Sequence, residues 1–78
     1  MDWIKVDEAP LPKKDTDVLC IIERKFENEE IEYDYGIRWR SVFDDAKVDE
    51  NGFVIYVDFE RVIAWMDLPS MDEIIQRK

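Results

Sequence analysis

Glu30-Ile31-Glu32-Tyr33-Asp34-Tyr35-Gly36-Ile37-Arg38-Trp39-Arg40 alternates polar and apolar residues without a miss. Successive side chains of a β-strand point to opposite faces, so period two over this length predicts a strand with one face on the core and the other in water. Ile31, Tyr33, Tyr35, Ile37 and Trp39 are the predicted core face. The opposite face carries carboxylates at one end and guanidinium groups at the other. Gly36, in the middle, predicts a bulge or bend.

Working back from this strand, Phe26-Glu27-Asn28-Glu29 reads as a hairpin connection to Val18-Leu19-Cys20-Ile21-Ile22, whose unbroken apolar run suits a central strand covered on both faces. Ahead of it, Lys13-Lys14-Asp15-Thr16-Asp17 is a polar turn. Ala9-Pro10-Leu11-Pro12 cannot be helical, because each proline disfavours the αR region in the residue before it, and is expected to wrap over the sheet. Trp3-Ile4-Lys5-Val6 is a short extended segment.

Working forward, Asp44 to Gly52 reads as a loop that closes on an Asn51-Gly52 turn. Phe53 to Val57 follows as a strand, and Val62-Ile63-Ala64-Trp65-Met66 as the last one. Ser70-Met71-Asp72-Glu73 has the form of a capping box, so a short helix is expected from there, with Met71, Ile74 and Ile75 on one face and Arg77 and Lys78 at the negative end of its dipole. The predicted fold is α+β: a small, mainly antiparallel β-sheet of four to five strands, open or curled into a partly open barrel, with one short C-terminal helix. At 78 residues the chain has room for a single domain, and a core this small leaves a few kcal/mol of stability.

Composition narrows the function classes. Twenty acidic against eleven basic residues give a formal net charge of −9, which repels phosphate backbones, so direct nucleic-acid binding is not expected. No apolar run approaches the roughly 20 residues of a membrane-spanning helix, and Met1-Asp2-Trp3 opens on an acid where a signal peptide carries bases. One cysteine, Cys20, cannot form an internal disulfide, which favours a reducing cytoplasm.

Histidine is absent, removing the commonest general base near neutral pH and the commonest imidazole ligand. Cys20, flanked by Leu19 and Ile21, reads as a core residue rather than a nucleophile. Thr16, Ser41 and Ser70 are the only aliphatic hydroxyls, and they form no serine triad. Pairs such as Glu29-Glu30 and Asp44-Asp45 sit in polar stretches where carboxylates stay solvated. The loop after Asp44 fails as a calcium loop: with Gly52 at its sixth position, Lys47 stands where the first acidic ligand belongs. Two isolated glycines build no phosphate loop. No catalytic residue, metal ligand or cofactor is assigned, and an enzyme is not expected.

The remaining candidates are surfaces. Phe53-Val54-Ile55-Tyr56-Val57 is apolar on both faces in a chain too short to bury much two-sided sheet, so Phe53, Ile55 and Tyr56, with Trp3 and Trp65, are candidate contacts for a protein partner or for self-association. Each tryptophan also fits as core filler. Glu27, Glu29, Glu30, Glu32 and Asp34 form an acidic row, with alternate residues about 6.6 Å apart, near the phosphate spacing of a DNA strand. That is the alternative reading, an acidic inhibitor of a DNA-binding or defence protein. A merely solubilising surface explains the same residues.

Trp3-Ile4-Lys5-Val6, Leu11-Pro12, Val18-Leu19, Trp39 and Val62-Ile63-Ala64-Trp65-Met66-Asp67-Leu68-Pro69 follow one another in an order that resembles the phage and prophage family called domain of unknown function 551. The resemblance implies a small accessory protein of bacteriophages or integrated elements, made in the cytoplasm of a bacterial host cell, with no established activity. Two departures stand out. Ala64 occupies the place where the family tends to have histidine, and Asp67 the place where it tends to have proline, so this chain lacks any chemistry that histidine performs.

Overall fold

The computed structural model describes residues 2–68, and the expected helix from Ser70 lies outside the described residues. Four strands form one sheet: β1 (Ile4–Lys5), β2 (Val18–Lys25), β3 (Ile31–Arg38) and β4 (Glu60–Asp67). Their order is β1-β4-β2-β3, and every neighbouring pair is antiparallel. The sheet is open, with β1 and β3 as its edges, and does not curl into a barrel.

The apolar run of β2 occupies the centre, as its composition predicts. Its hairpin with β3 closes through Phe26 to Glu30, where the Phe26 N–H donates to the Glu30 carbonyl at 2.9 Å and the Asn28 side chain accepts the Glu30 N–H at 3.1 Å. Glu29 takes a positive φ of 67° there. Between β2 and β4 the register slips once: Ile21 faces Ala64 but Ile22 faces Val62, so Ile63 is the extra residue of a bulge. The irregularity expected at Gly36 lies here instead.

One face of the sheet is the core. Val18, Cys20 and Ile22 of β2 and Val62 and Trp65 of β4 project to it, with Leu11 packed alongside. Phe53 joins them from the long connection between β3 and β4 and is completely buried. This connection corrects the sequence reading, in which Phe53–Val57 is an exposed strand. It forms only two isolated bridges, Arg40 to Phe53 and Val48 to Val54. Residues 39–59 fold over the sheet as a covering layer, which takes Phe53 and Ile55 inside because a four-stranded sheet without a second layer would leave its apolar face wet.

Asp49 holds that layer in place. Its Oδ1 accepts the N–H groups of Asn51 at 2.9 Å and Phe53 at 3.1 Å, and its Oδ2 accepts the Val62 N–H at the bulge, at 2.9 Å. One carboxylate thereby turns the loop and fastens it to β4. Gly52 supplies the φ of 88° that the Asn-Gly turn needs. Arg40 ties the turn to the proline segment, donating from Nε to the Asn51 carbonyl at 2.8 Å and from Nη1 to the Pro12 carbonyl at 3.1 Å.

The faces of β3 are the reverse of those the alternation predicts. Arg38, Gly36 and Asp34 lie opposite Val18, Cys20 and Ile22, so they occupy the core side, while Ile31, Tyr33, Tyr35 and Ile37 are exposed on the other. Gly36 leaves a space rather than a bend. A Cβ there would meet Ile22 Cδ1 at 2.8 Å and Arg38 Nη1 at 3.0 Å, so its absence lets the arginine side chain lie back along the strand.

Asp49→Ala removes the acceptor of three amide groups and is expected to cost about 2 kcal/mol or more. The urea midpoint falls by that energy divided by the slope, which is unchanged, and Asp49→Asn, which keeps one carbonyl oxygen, lies between Asp49→Ala and the wild type.

Candidate functional site

Three charged side chains meet on the core side. Glu60, at the start of β4, has a side chain only 1% accessible. Its Oε2 accepts Arg24 Nε at 3.2 Å, and its Oε1 accepts the Tyr56 N–H at 2.7 Å and Arg38 Nη2 at 3.4 Å. Arg38 reaches it by lying over Gly36, and its guanidinium rests 4.0 Å from the centre of the Tyr56 ring. Arg24 extends the cluster outward to Asp34 at 3.2 Å and Glu32 at 3.8 Å.

The electrostatics follow from these contacts. Burial acts to raise the Glu60 carboxyl, but the Tyr56 amide and then the two guanidinium groups outweigh it and hold the group below its ordinary 4.5. Asp34 is also lowered, by its hydrogen bond from Arg24 and then by the Tyr35 amide. Such a cluster satisfies buried charge and orients elements; it offers no carboxyl with a raised pKa for proton transfer. Burial pushes the Cys20 thiol up to about 11, which disfavours the thiolate at neutral pH.

The same residues blunt the free edge of the sheet. The Tyr35 N–H donates to Asp34 Oδ1 at 2.8 Å, and the Ile37 carbonyl accepts Arg38 Nη1 at 3.2 Å. Tyr35 and Ile37 have the same parity, so both groups belong to the side of β3 that faces away from β2. An edge whose own side chains occupy these groups is a poor template for another strand.

Among the described residues, the outer face carries exposed rings. Tyr33 is 60% exposed and Tyr35 71%, flanked by Ile31 and Ile37 along the edge strand. Trp3 crosses from the far side of the sheet and stacks on Tyr35, with ring centroids 6.0 Å apart and planes inclined by 27°. Two shallow grooves of about 570 and 560 Å³ flank the stack, and both are floored by Ile21 and Ile63. Glu23 and Glu50 stand at the rim of the first and hold Arg61 between them, at 3.0 and 3.4 Å. A contiguous apolar face framed by charge is the form a protein contact surface takes.

Among the residues singled out from sequence, Phe53, Ile55 and Trp65 are buried core and are withdrawn as contacts. Tyr56 is exposed but lies on the opposite side, against Arg38. Trp3 alone belongs to the outer face. The acidic row divides: Glu27, Glu29 and Glu30 are exposed around the hairpin turn, while Asp34 and Glu32 are engaged by Arg24. The exposure of Tyr33 and Tyr35 was not foreseen, because period two reveals that a strand has two faces without revealing which one is covered.

A protein-family model described as Protein of unknown function (DUF551) matches residues 2–71 of the chain. No curated protein and no solved structure matches it.

Because the folded-state pKa of Glu60 lies below its ordinary value, its contribution to stability is present above pH 4.5 and is lost as pH falls through the folded value. Glu60→Gln leaves Arg38 without its anion and Arg24 with only Asp34 and Glu32, and is expected to cost about 3 kcal/mol at neutral pH. Denaturant titrations should show the gap between wild type and variant narrowing below pH 4.5; a constant gap would contradict the assignment.

Proposed function

The chain belongs to the family described as Protein of unknown function (DUF551), and from that premise we propose that it is a non-catalytic protein-interaction module that engages its partner through the outer face. The observation that carries this reading is the exposure of Tyr33 and Tyr35 beside Trp3 on one face of the sheet. Large aromatic rings are costly to leave in water and are enriched at the centres of protein contacts. The charged cluster on the other side supports the same reading, because it spends its ionisable groups on holding the sheet and its covering layer together.

The wider setting is an accessory protein of a bacteriophage or integrated element, at work in the cytoplasm of a bacterial host. The ordered motifs from Trp3 to Pro69 support the first part, and the lone buried Cys20 supports a reducing compartment. Among the described residues no helix is long and apolar enough to cross a membrane.

Affinity capture from bacterial lysate tests the proposal. The wild-type chain is expected to retain a partner that Tyr33→Asp/Tyr35→Asp does not, with both proteins equally folded by circular dichroism. Phe43→Asp, at an exposed position off the sheet, should retain it. Capture that is indifferent to the tyrosine changes would overturn the assignment of the face.

A further inference from the structure

Resting on that reading, we propose that the outer face has an occupant within this chain: residues 70–78 fold back over it as a short helix, and the partner binds by displacing them. The face is not uniform along the strands. Beside the exit of β4, Met66 stands opposite Leu19 and Leu19 opposite Ile37; one step further in, Ala64 stands opposite Ile21 and Ile21 opposite Tyr35. Both rows are apolar or aromatic across three strands. The next row brings Arg61, Glu23 and Tyr33, with Arg61 and Glu23 paired at 3.0 Å. Apolar cover is therefore needed at one end of the face, the end where β4 stops at Asp67. Residues 39–59 already lie over the opposite face, whereas Leu19 and Ile21 are half-buried, Ile37 is 49% exposed and Tyr35 71%. A central strand that is apolar on both sides calls for cover on both.

The sequence beyond β4 matches this layout. Pro69 has no N–H to continue the ladder, and Ser70-Met71-Asp72-Glu73 has the capping-box form that starts a helix with Met71, Ile74 and Ile75 on one stripe. Met71 and Ile75 are four residues apart, about 6 Å along a helix axis, and neighbouring rows of one sheet face are about 6.6 Å apart. The apolar residues come first and Gln76-Arg77-Lys78 follow. A chain turning back from Asp67 meets the rows in that same order, two apolar and then one charged. So short a helix is not stable alone in water, so it forms only as it docks. The tether keeps its effective concentration on the order of millimolar. A second copy fits less well, because a whole sheet stacked here covers the Glu23–Arg61 row together with the apolar rows and strips water from its charges. A partner that uses Tyr35 needs a ring the segment already covers, so the two compete.

Nuclear magnetic resonance on the full chain tests the inference. Nuclear Overhauser contacts are expected from the methyl groups of Met71, Ile74 and Ile75 to Leu19, Ile37, Trp3 or Tyr35, with helical Cα shifts over residues 70–78, and they should persist on dilution. Coil shifts without such contacts overturn the inference. So do contacts that fade on dilution, which mark a second copy. Ile74→Ser/Ile75→Ser should abolish the contacts and raise the partner retained in lysate capture by about threefold or more, because less of the chain is then closed. Retention that stays the same or falls overturns the competition. The two readings fail separately. Absent contacts with tyrosine-dependent capture remove the docked segment and leave the interaction module; contacts present with capture indifferent to Tyr33→Asp/Tyr35→Asp leave the docked segment and remove the module together with the competition.

Discussion

Glu60 is a carboxylate with almost no access to water, and the arrangement of the sheet follows from keeping it charged. An unpaired ion in such a place would be prohibitively costly, so two guanidinium groups and an amide must reach it. Arg24 comes from β2 and Arg38 from β3, and they converge on the first residue of β4. The interaction therefore pins three strands to one another at a single point. It also places the polar parity of β3 on the covered side, which sends the tyrosines outward.

Several smaller features serve that constraint. Gly36 is the residue that lets Arg38 lie along its own strand, since any side chain there would collide with Arg38 and Ile22. Tyr56 gives Glu60 its amide and gives Arg38 its ring, so the covering layer joins the cluster from above. Asp34 and Arg38 then occupy outward backbone groups of the edge strand. The residues that hold the sheet are thus also those that occupy backbone groups of its free edge. The buried ion cluster around Glu60 thus lies on the covered side and the exposed rings of Tyr33 and Tyr35 on the other.

Much of the architecture was legible in the chain. The apolar run Val18–Ile22, the hairpin at Phe26–Glu29, the strand around Trp65 and the Asn51-Gly52 turn all depend on local patterning or local backbone geometry, and each is present. The ordered Trp-Ile, Leu-Pro and Trp-Met motifs were enough to place the chain in its family. The candidate surface was read less well. Phe53, Ile55 and Trp65, singled out as surface residues, are buried, because an apolar segment looks the same whether it covers a core or faces solvent.

The sequence by itself determined the central apolar strand, its hairpin to β3, the strand around Trp65, the sign of the formal charge and the absence of histidine chemistry, because these depend on residue identity and on local patterning along the chain. Only the tertiary structure decided which face of β3 is covered. Alternation is symmetric between two faces, and the symmetry is broken by contacts distant in sequence: Arg38 with Glu60, Asp49 with Val62, and the room left at Gly36. Those contacts bury the half of the strand that looks polar and expose the half that looks like core.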